Sequence, residues 1–292
     1  MAVHTIQNSR LTVLLKDAGA ELCSVKDAAG KEYLFDANPA YWGRSAPVLF
    51  PFVGSLKNKE FLYEGKRYPM GQHGFARDMD FSPIRQTQDE IWFRLESDAE
   101  TLSRYPLPFV LKIGYQLEEN AVRVLWEVEN PSQHKPLYFS IGAHPAFLCP
   151  PEGGGMEGCY LGFDLPGDLR YRLLDGGLAA KEQYVLSLEG GLCRLSPSLF
   201  DRDALIAEGK QTGRVWLADR EKRPFITVEF DAPLFGVWSP AGKNAPFVCI
   251  EPWYGRCDEV DFSGDLDQRA YSNCALPGQI FRADYRILVN QA

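Results

Sequence analysis

Two histidines and one glutamate stand where their neighbours give them no evident structural role, and they are the residue types of acid–base chemistry. His73 lies between two glycines in GQHGFARDMDF (71–81), which has neither the apolar spacing of a helix nor the alternation of a strand. His144 follows the apolar run of YFSIGAHPAFLCP (138–150), so an imidazole emerges at the end of a predicted strand. An imidazole and a carboxylate with pKa values near the working pH can each give and take a proton, which predicts proton-transfer chemistry.

The glutamate is the hardest of the three to explain by structure alone. In PFVCIEPWYGRCD (246–258), residues 247–250 have the composition of a buried strand, and Glu251 follows them directly. A glutamate is seldom buried without a partner, and burial raises a carboxyl pKa toward that of a general base. Taken singly, His73 and His144 are more simply explained as surface or structural residues. Their shared position with Glu251, at aromatic strand ends marked by Gly or Pro, favours a common site.

Further polar and aromatic residues have two interpretations each. Arg77 either holds a hydroxyl or anionic group of a ligand or pairs with Asp78 or Asp80. Asp201 and Asp203 either reach a site or complement the dipole of a short helix, and the dipole interpretation is favoured. Four aromatic side chains either fill the core or form an apolar platform for a sugar ring: Trp238, Trp253, Tyr254 and Phe147.

The elements that must position these residues are β-strands, because the dominant hydrophobic period is two. In 109–130, alternate positions from Phe109 to Leu117 are apolar, and after Glu118-Glu119-Asn120 the alternation resumes, which predicts a β-hairpin with a polar outer face. The same pattern predicts strands in 90–97, 213–231 and 279–290, and a tight turn at Gly65 within 63–68.

Helical patterns are scarce. SPSLFDRDALI (196–206) is the best candidate, with Ser196 as N-cap and Pro197 at the first helical position. The Pro/Gly-rich stretch 149–158 predicts a surface loop. No composition shift, linker or repeat marks a boundary, so residues 1–292 are predicted to form a single all-β domain, a large antiparallel β-sandwich with few short helices.

Composition excludes several classes of partner. The formal net charge is −8, and no run of basic residues occurs, so nucleic acid is not expected. No window approaches the ~18 apolar residues of a membrane span, and the first residues lack the pattern of a signal peptide. The seven cysteines form no CxxC pair, which argues against a zinc ribbon and favours reduced thiols in the cytoplasm.

Four stretches in this order, LFPFVGSLKN, GQHGFARD, SIGAHPAF and CIEPWYG, lie between residues 49 and 255. Their combination resembles the aldose 1-epimerase (mutarotase) family, most closely the branch that includes LacX-like proteins and is related to the hexose-6-phosphate mutarotases. The resemblance implies a galactose mutarotase-like supersandwich, a large antiparallel β-sandwich with a sugar cleft on one sheet. It also implies cofactor-free interconversion of the α and β anomers of an aldohexose or its phosphate.

The resemblance also assigns roles to particular residues. Glu251 matches the family's general base, which takes the proton from the C1 hydroxyl, and His144 matches the general acid, which protonates the ring oxygen. His73 matches the second histidine, which binds the substrate near those two oxygens. Arg77 and Asp203 are expected to contact sugar hydroxyls.

One position departs from the family pattern. Many members carry an arginine after the glycine of the FPxxG motif, where it helps to bind the sugar, and here that position is Ser55. Lys57, Arg44 or Arg77 then supplies the cation, or the sugar differs. The departure bears on the identity of the substrate more than on the chemistry.

Three alternatives stay open at the level of sequence. The protein is a carbohydrate-binding β-sandwich without catalytic activity, since fold does not fix function. Or His73, His144 and Glu251 hold a metal ion as two histidines and a carboxylate, although the mutarotase resemblance implies none. Or it is a glycosidase, which needs two carboxylates roughly 5–10 Å apart, whereas only Glu251 stands out.

Overall fold

The computed structural model describes residues 2–290, and strands dominate it. The strands, in chain order, are β1 (Val3–Gln7), β2 (Leu11–Lys16), β3 (Leu22–Asp27), β4 (Val48–Leu49), β5 (Glu60–Tyr63), β6 (Lys66–Pro69), β7 (Ser82–Gln86), β8 (Glu90–Glu96), β9 (Val110–Glu118), β10 (Ala121–Glu129), β11 (Leu137–Phe139), β12 (Ile141–Ala143), β13 (Ala146–Leu148), β14 (Tyr160–Phe163), β15 (Leu169–Asp175), β16 (Leu178–Leu186), β17 (Leu192–Arg194), β18 (Leu205–Glu208), β19 (Arg214–Ala218), β20 (Pro224–Phe230), β21 (Leu234–Trp238), β22 (Phe247–Tyr254), β23 (Asn273–Ala275) and β24 (Ile280–Val289).

Helical structure is brief. The α-helix α1 (Ala99–Arg104) begins with a capping box, in which the Asp98 side chain accepts from the Thr101 backbone and the Thr101 hydroxyl accepts from the Asp98 backbone. Between residues 2 and 290 there are also four single 3₁₀ turns: Lys57–Lys59, Ala76–Asp78, Pro197–Phe200 and Leu266–Gln268.

Two large antiparallel sheets form the body of the fold. The nine-stranded sheet has the order β17-β14-β19-β20-β24-β10-β9-β8-β7. The eight-stranded sheet has the order β16-β15-β18-β21-β22-β12-β4, and β13 also pairs with β22. Smaller sheets are formed by β1-β2-β3, by β11-β23 and by β5-β6.

The alternation of the hairpin strands fixes which face of the nine-stranded sheet is buried. β9 and β10 pair from Glu118 with Ala121 to Val110 with Glu129, and Glu119 takes the positive φ of 51° that the tight turn needs. The alternate apolar residues of both strands are fully or almost fully buried, and the residues between them are more exposed. The predicted hairpin, the predicted strands in 90–97, 213–231 and 279–290, and the turn at Gly65 are confirmed.

One apolar core lies between the two large sheets and receives side chains from both. Ile113 and Val124 enter it from the nine-stranded sheet, and Val248 and Ile250 enter it from the eight-stranded sheet. Trp126 of β10 meets Tyr254 of β22 with ring centroids 6.3 Å apart. This packing of two antiparallel sheets confirms the predicted all-β sandwich.

The predicted helix over 196–206 is wrong. Only Pro197–Phe200 forms a 3₁₀ turn, the Ser196 side chain does not cap it, and the chain enters β18 at Leu205. Residues 205–208 pair along β21 and bury three of their four side chains there. A segment this short gains little from helical propensity, so pairing with a long buried strand prevails.

The structure also bears on the membrane prediction. None of the helices among residues 2–290 is long and apolar enough to cross a bilayer.

Candidate active site

The five residues predicted from the sequence line one cleft on the eight-stranded sheet, on the face turned away from the core. His73, Arg77, His144, Asp203 and Glu251 surround a volume of about 280 Å³. They come from distant parts of the chain, and the sheet and the loops above it bring them together.

Strand β22 forms the floor of the cleft, and side chains on both of its faces are buried. Val248 and Ile250 point into the core between the sheets, so Cys249 and Glu251 lie on the opposite face. Glu251 is 1% exposed. Gly236 lies opposite it on β21, and a Cβ there would come within 2.6 Å of the Trp253 ring, so only glycine leaves room for that indole.

A break in strand pairing places His144 beside Glu251. Upstream of the break, Gly142 of β12 pairs with Trp253 of β22, and downstream Ala146 of β13 pairs with Cys249. His144 lies in the gap between these two pairings, directly opposite Glu251. Its Nε2 is 3.3 Å from Glu251 Oε2. The fold thus brings this imidazole and this carboxylate next to each other.

Burial determines the electrostatics of this pair. Burial, with a smaller contribution from the positive charges of Arg77 and Arg44, lowers the pKa of His144 to about 3. Burial raises the pKa of Glu251 well above its usual range, and the nearby Asp203 adds to that rise. Over the wide pH interval between these values, the two side chains together hold one proton.

The polar atoms of the pair are poorly satisfied. His144 Nδ1 and Glu251 Oε2 are buried and have no aligned hydrogen-bond partner among residues 2–290. The Trp253 indole N–H favours the ionised form of Glu251 but makes no aligned hydrogen bond to it. Buried polar atoms are nearly always paired, so unpaired ones in a cleft indicate groups that a ligand satisfies.

Aromatic rings enclose the imidazole. Trp42 stacks on His144 with ring centroids 4.7 Å apart, and Trp238 meets it edge-on at 5.3 Å. Both indoles line the cleft, as does Trp253, whereas Phe147 and Tyr254 contribute to the core between the sheets. Of the four predicted aromatic residues, Trp238 and Trp253 therefore belong to the cleft, and Phe147 and Tyr254 belong to the core.

The loop that carries His73 is anchored to the segment that ends at Gly54. The backbone N–H of His73 donates to the Gly54 carbonyl at 2.8 Å, and the N–H of Phe75 donates to the Phe50 carbonyl at 3.0 Å. Gly74 has a φ of 71°, and a Cβ there would lie 2.3 Å from the Phe50 oxygen. A glycine is required at this close approach.

The same anchoring sets the tautomer of His73. The Gly54 N–H donates to His73 Nδ1 at 3.0 Å, so Nδ1 is the acceptor and the neutral ring carries its hydrogen on Nε2. Burial lowers the pKa of His73 well below its ordinary value, and His144 and Arg77 add to the effect. His73 is therefore a neutral imidazole that offers one N–H donor.

Arg77 lies at the cleft with spare hydrogen-bonding capacity. One terminal nitrogen donates to the Gln72 carbonyl at 2.9 Å, but Nε is buried and has no hydrogen-bond partner among the described residues. Arg77 Nε is 3.8 Å from Asp78 Oδ2, whereas Arg44 Nη2 is 2.6 Å from Asp78 Oδ1. Asp78 thus forms its close ion pair with Arg44 rather than with Arg77.

The structure separates the two aspartates near β18. Asp203 lines the cleft with a φ of 73°, and its carboxylate accepts from the Ala204 backbone at 2.9 Å. Asp201 is not among the cleft residues. The helix-dipole interpretation of both residues is wrong, because the 3₁₀ turn ends at Phe200.

Ser55 takes the place of the family's arginine and lies beside the cleft. A Cβ on Gly177, which lines the cleft, would meet its hydroxyl at 3.1 Å. Of the three candidate cations, Arg77 lines the cleft, Arg44 is held by Asp78, and Lys57 lines a separate cavity.

Several residues at or beside this site were not singled out from the sequence. Trp42 and Gln72 come from irregular loops, and Cys257 follows a turn after β22. Cys249 lies two residues before Glu251 on the same face, and this spacing in the sequence was the available signal.

Comparison with known proteins identifies a family and several relatives. Residues 2–169 match the aldose 1-epimerase family model. The plasmid-encoded protein LacX of Lactococcus lactis subsp. lactis is 30% identical over 301 residues, which cover 97% of this chain and 98% of LacX.

Solved structures resemble the fold at similar coverage. A galactose mutarotase related enzyme from Lactobacillus acidophilus is 36% identical with a TM-score of 0.93, covering 99% of this chain and 98% of that one. A galactose mutarotase-like protein from Lactobacillus casei is 28% identical with a TM-score of 0.89, covering 99% and 100%. The chain belongs to the aldose 1-epimerase family.

Proposed function

We propose that the protein is an aldose 1-epimerase that interconverts the α and β anomers of an aldohexose or an aldohexose phosphate. The observation that carries this proposal is the pair of His144 Nε2 and Glu251 Oε2, 3.3 Å apart on the floor of a buried cleft. A cleft of about 280 Å³ is near the lower end of small-molecule sites, about 300–1,000 Å³. Its size suits one sugar ring rather than an oligosaccharide.

The reaction requires a base and an acid at neighbouring oxygens. Opening a cyclic hemiacetal removes the proton from the C1 hydroxyl and adds one to the ring oxygen, and both oxygens are bonded to the same carbon. In the proposed mechanism Glu251 takes the first proton and His144 supplies the second. Rotation about the C1–C2 bond presents the other face of the aldehyde, and the two residues exchange roles for closure.

The proton content of the pair fits this cycle. Between the low pKa of His144 and the high pKa of Glu251 the pair holds one proton, and its ionised and neutral forms differ by one transfer. The active form has the proton on His144. Each half of the cycle returns the pair to a one-proton state, so turnover needs no net change of charge in the buried site.

The other cleft residues bind and orient the sugar in this proposal. His73 donates its Nε2–H near the ring oxygen and the C1 hydroxyl. Arg77, whose Nε makes no hydrogen bond within residues 2–290, supplies the cation in place of the arginine absent at Ser55. Asp203 accepts from a hydroxyl, and Trp42 and Trp238 provide apolar surface beside the imidazole.

Polarimetry of freshly dissolved α-D-galactose and α-D-glucose tests the proposal, with aldohexose 6-phosphates measured in a coupled assay. The Glu251→Gln and His144→Asn variants should each lower kcat/KM at least ~100-fold, since each removes one positioned proton-transfer group. The Asp80→Asn variant, at an exposed position outside the cleft, is the control. Full activity in Glu251→Gln would overturn the mechanism.

A carbohydrate-binding protein without turnover is the second candidate, because the same cleft supports it. Calorimetry separates the two: a sugar that binds at the cleft while its mutarotation proceeds at the uncatalysed rate identifies a binder. The buried His144–Glu251 contact favours the enzyme, since a site for binding alone needs no such desolvated proton-transfer pair.

A further inference from the structure

Cys249 lies beneath the proposed catalytic pair and has no place in the acid–base mechanism. It is fully buried and shares the cleft-side face of β22 with Glu251. One ring nitrogen of His144, the sulfur of Cys249 and one carboxylate oxygen of Glu251 all lie within 4.8 Å of one another. No other trio of such side chains among residues 2–290 has this spacing.

The spacing is close to that of a tetrahedral metal centre. Zinc bonds of about 2.3 Å to sulfur and 2.0–2.1 Å to nitrogen or oxygen place neighbouring ligand atoms about 3.3–3.6 Å apart. His144 Nε2 and Glu251 Oε2 already have that separation, at 3.3 Å. The three donor atoms lie within 4.8 Å of one another, so coordination would draw the sulfur closer to the other two.

The state of the donor atoms also points to a ligand. Glu251 is 1% exposed, and its Oε2 has no aligned hydrogen-bond partner in the described part of the chain. His144 is 7% exposed and faces the same point. A divalent cation would satisfy both and would displace the protons of the Cys249 thiol and the Glu251 carboxyl.

We propose that His144, Cys249 and Glu251 form a binding site for a thiophilic divalent cation, with Zn²⁺ as the best match. A nitrogen, a sulfur and an oxygen donor with a fourth position open to the cleft suit zinc rather than Mg²⁺ or Ca²⁺. If the proposed function holds, the bound ion inhibits epimerisation because it occupies both proton-transfer groups. Sugar and metal therefore compete.

The surroundings indicate a removable ion rather than a permanent one. A histidine that binds a metal normally donates its other N–H to a partner, and loss of such a partner weakens binding by about 10–100-fold. His144 Nδ1 has no hydrogen-bond partner among the described residues. His73 does not complete the site. Its Nδ1 accepts from the Gly54 N–H, so its Nε2 carries the hydrogen and has no lone pair for a metal.

Cobalt provides a readout that is independent of activity. Titration of the metal-free protein with Co²⁺ should produce visible ligand-field bands and a sulfur-to-cobalt charge-transfer band at one equivalent, and Zn²⁺ should abolish both. The Cys249→Ser and Cys249→Ala variants should lack the charge-transfer band. Cys274→Ser, at an exposed cysteine far from the cleft in sequence, is the matched control and should keep it.

Inhibition is measured within each variant as the ratio of mutarotation rates with and without Zn²⁺. Zn²⁺ should inhibit the wild type, EDTA should restore the rate, and the inhibitory concentration should rise at least about tenfold in both Cys249 variants. Two variants are used because a buried serine hydroxyl can destabilise the strand where alanine does not. Thermal melts verify that each is folded.

The outcomes distinguish this inference from the proposed function. Absence of the charge-transfer band in the wild type, or its persistence in both folded Cys249 variants, overturns the metal site. Equal zinc inhibition in wild type and Cys249→Ala overturns the inhibitory role. If the wild type does not accelerate mutarotation, the cobalt spectra still decide the site, and the proposed function falls separately.

Discussion

The outer faces of the two large sheets differ in how their charged and polar side chains are paired. On the nine-stranded sheet, charged side chains from neighbouring strands alternate in sign and pair across the strands. Arg282 meets Glu127 at 3.0 Å, and Arg123 meets Asp284 at 3.0 Å. These side chains are about a fifth to three-fifths exposed, so water also solvates them.

The corresponding face of the eight-stranded sheet also carries an ion pair, Arg172 with Glu208 at 2.9 Å, but its cleft differs. The polar groups of the cleft, His144 and Glu251, are at least nine-tenths buried and have atoms without a hydrogen-bond partner among the described residues. The two faces arise from the same alternation of strand residues, so alternation alone does not distinguish them. What differs is that the charged groups of the nine-stranded sheet pair with one another, whereas the cleft keeps buried polar atoms without a hydrogen-bond partner among the described residues.

The largest expected effect tests the functional side of this contrast. Neutralising a carboxylate on each face, with Glu251→Gln and Glu127→Gln, should lower kcat/KM at least ~100-fold in the first case and less than twofold in the second. The reason is that only Glu251 reaches the reacting oxygens in the proposed mechanism. Polarimetry of the sugar that gives the highest rate measures both. Similar losses in the two variants would contradict the division of roles.

The second-largest expected effect is on how the free energy of unfolding depends on pH. Burial raises the pKa of Glu251 above 4.5, so its stabilising contribution is complete below pH 4.5 and is lost as the pH rises toward the raised value. Burial lowers the pKa of His144 from 6.5 to about 3, so its contribution is complete above pH 6.5 and is lost on acidification. Between pH 4.5 and 6.5 the two slopes oppose each other, and above pH 6.5 the slope of Glu251 remains.

Glu251→Gln should therefore remove the fall in stability that begins above pH 4.5. Relative to this variant, the wild type should lose up to about 1.4 kcal/mol per pH unit as the pH rises from 4.5 toward the raised pKa of Glu251, as expected for one proton. Chemical denaturation at several pH values measures the difference, with Asp80→Asn as the control for loss of an exposed carboxylate. Parallel stability curves for wild type and Glu251→Gln would show that Glu251 is ionised in the folded protein.

The sequence predicted what is local and missed what depends on pairing between distant segments. The hairpin in 109–130 is predictable because its alternation and its turn lie in one stretch. His144 and Glu251 are predictable as residue types out of place. Their contact is set by the gap between β12 and β13 along β22, which no local pattern encodes.

The errors have physical causes of the same kind. The helix predicted over 196–206 rested on cap signals, and pairing of β18 with β21 outweighed them. Trp42 comes from a loop without periodicity, and its stacking on His144 follows from the course of that loop. Cys249 looked like one more apolar residue of a buried strand, although its spacing of two residues from Glu251 places both side chains on one face of β22.

A smaller effect is expected at the rim of the cleft. The negative charge of Asp203 adds to the rise in the pKa of Glu251, so Asp203→Asn should lower that pKa. The alkaline limb of the kcat/KM profile, where the pair loses its last proton, should move to lower pH. The shift should be below about one unit, because Asp203 is exposed and water screens it.

The matched control for this prediction is Asp201→Asn, two residues away and not among the cleft residues. Its alkaline limb should coincide with that of the wild type. A shift toward higher pH in Asp203→Asn, or equal shifts in both variants, would contradict the proposed influence of Asp203 on the pair.

The smallest effect tests the charged face by itself. Glu127 lies 3.0 Å from Arg282 and 3.6 Å from Lys112, with side chains that are 22–62% exposed. Exposed pairs of this kind contribute roughly 0–1 kcal/mol, so Glu127→Gln should lower the free energy of unfolding by less than about 1 kcal/mol. Urea denaturation at low and high salt measures it, and the difference from wild type should shrink as salt screens the pairs. A larger, salt-independent loss would mean that this face, like the cleft, depends on a specific buried contact, and the contrast between the sheets would then not hold.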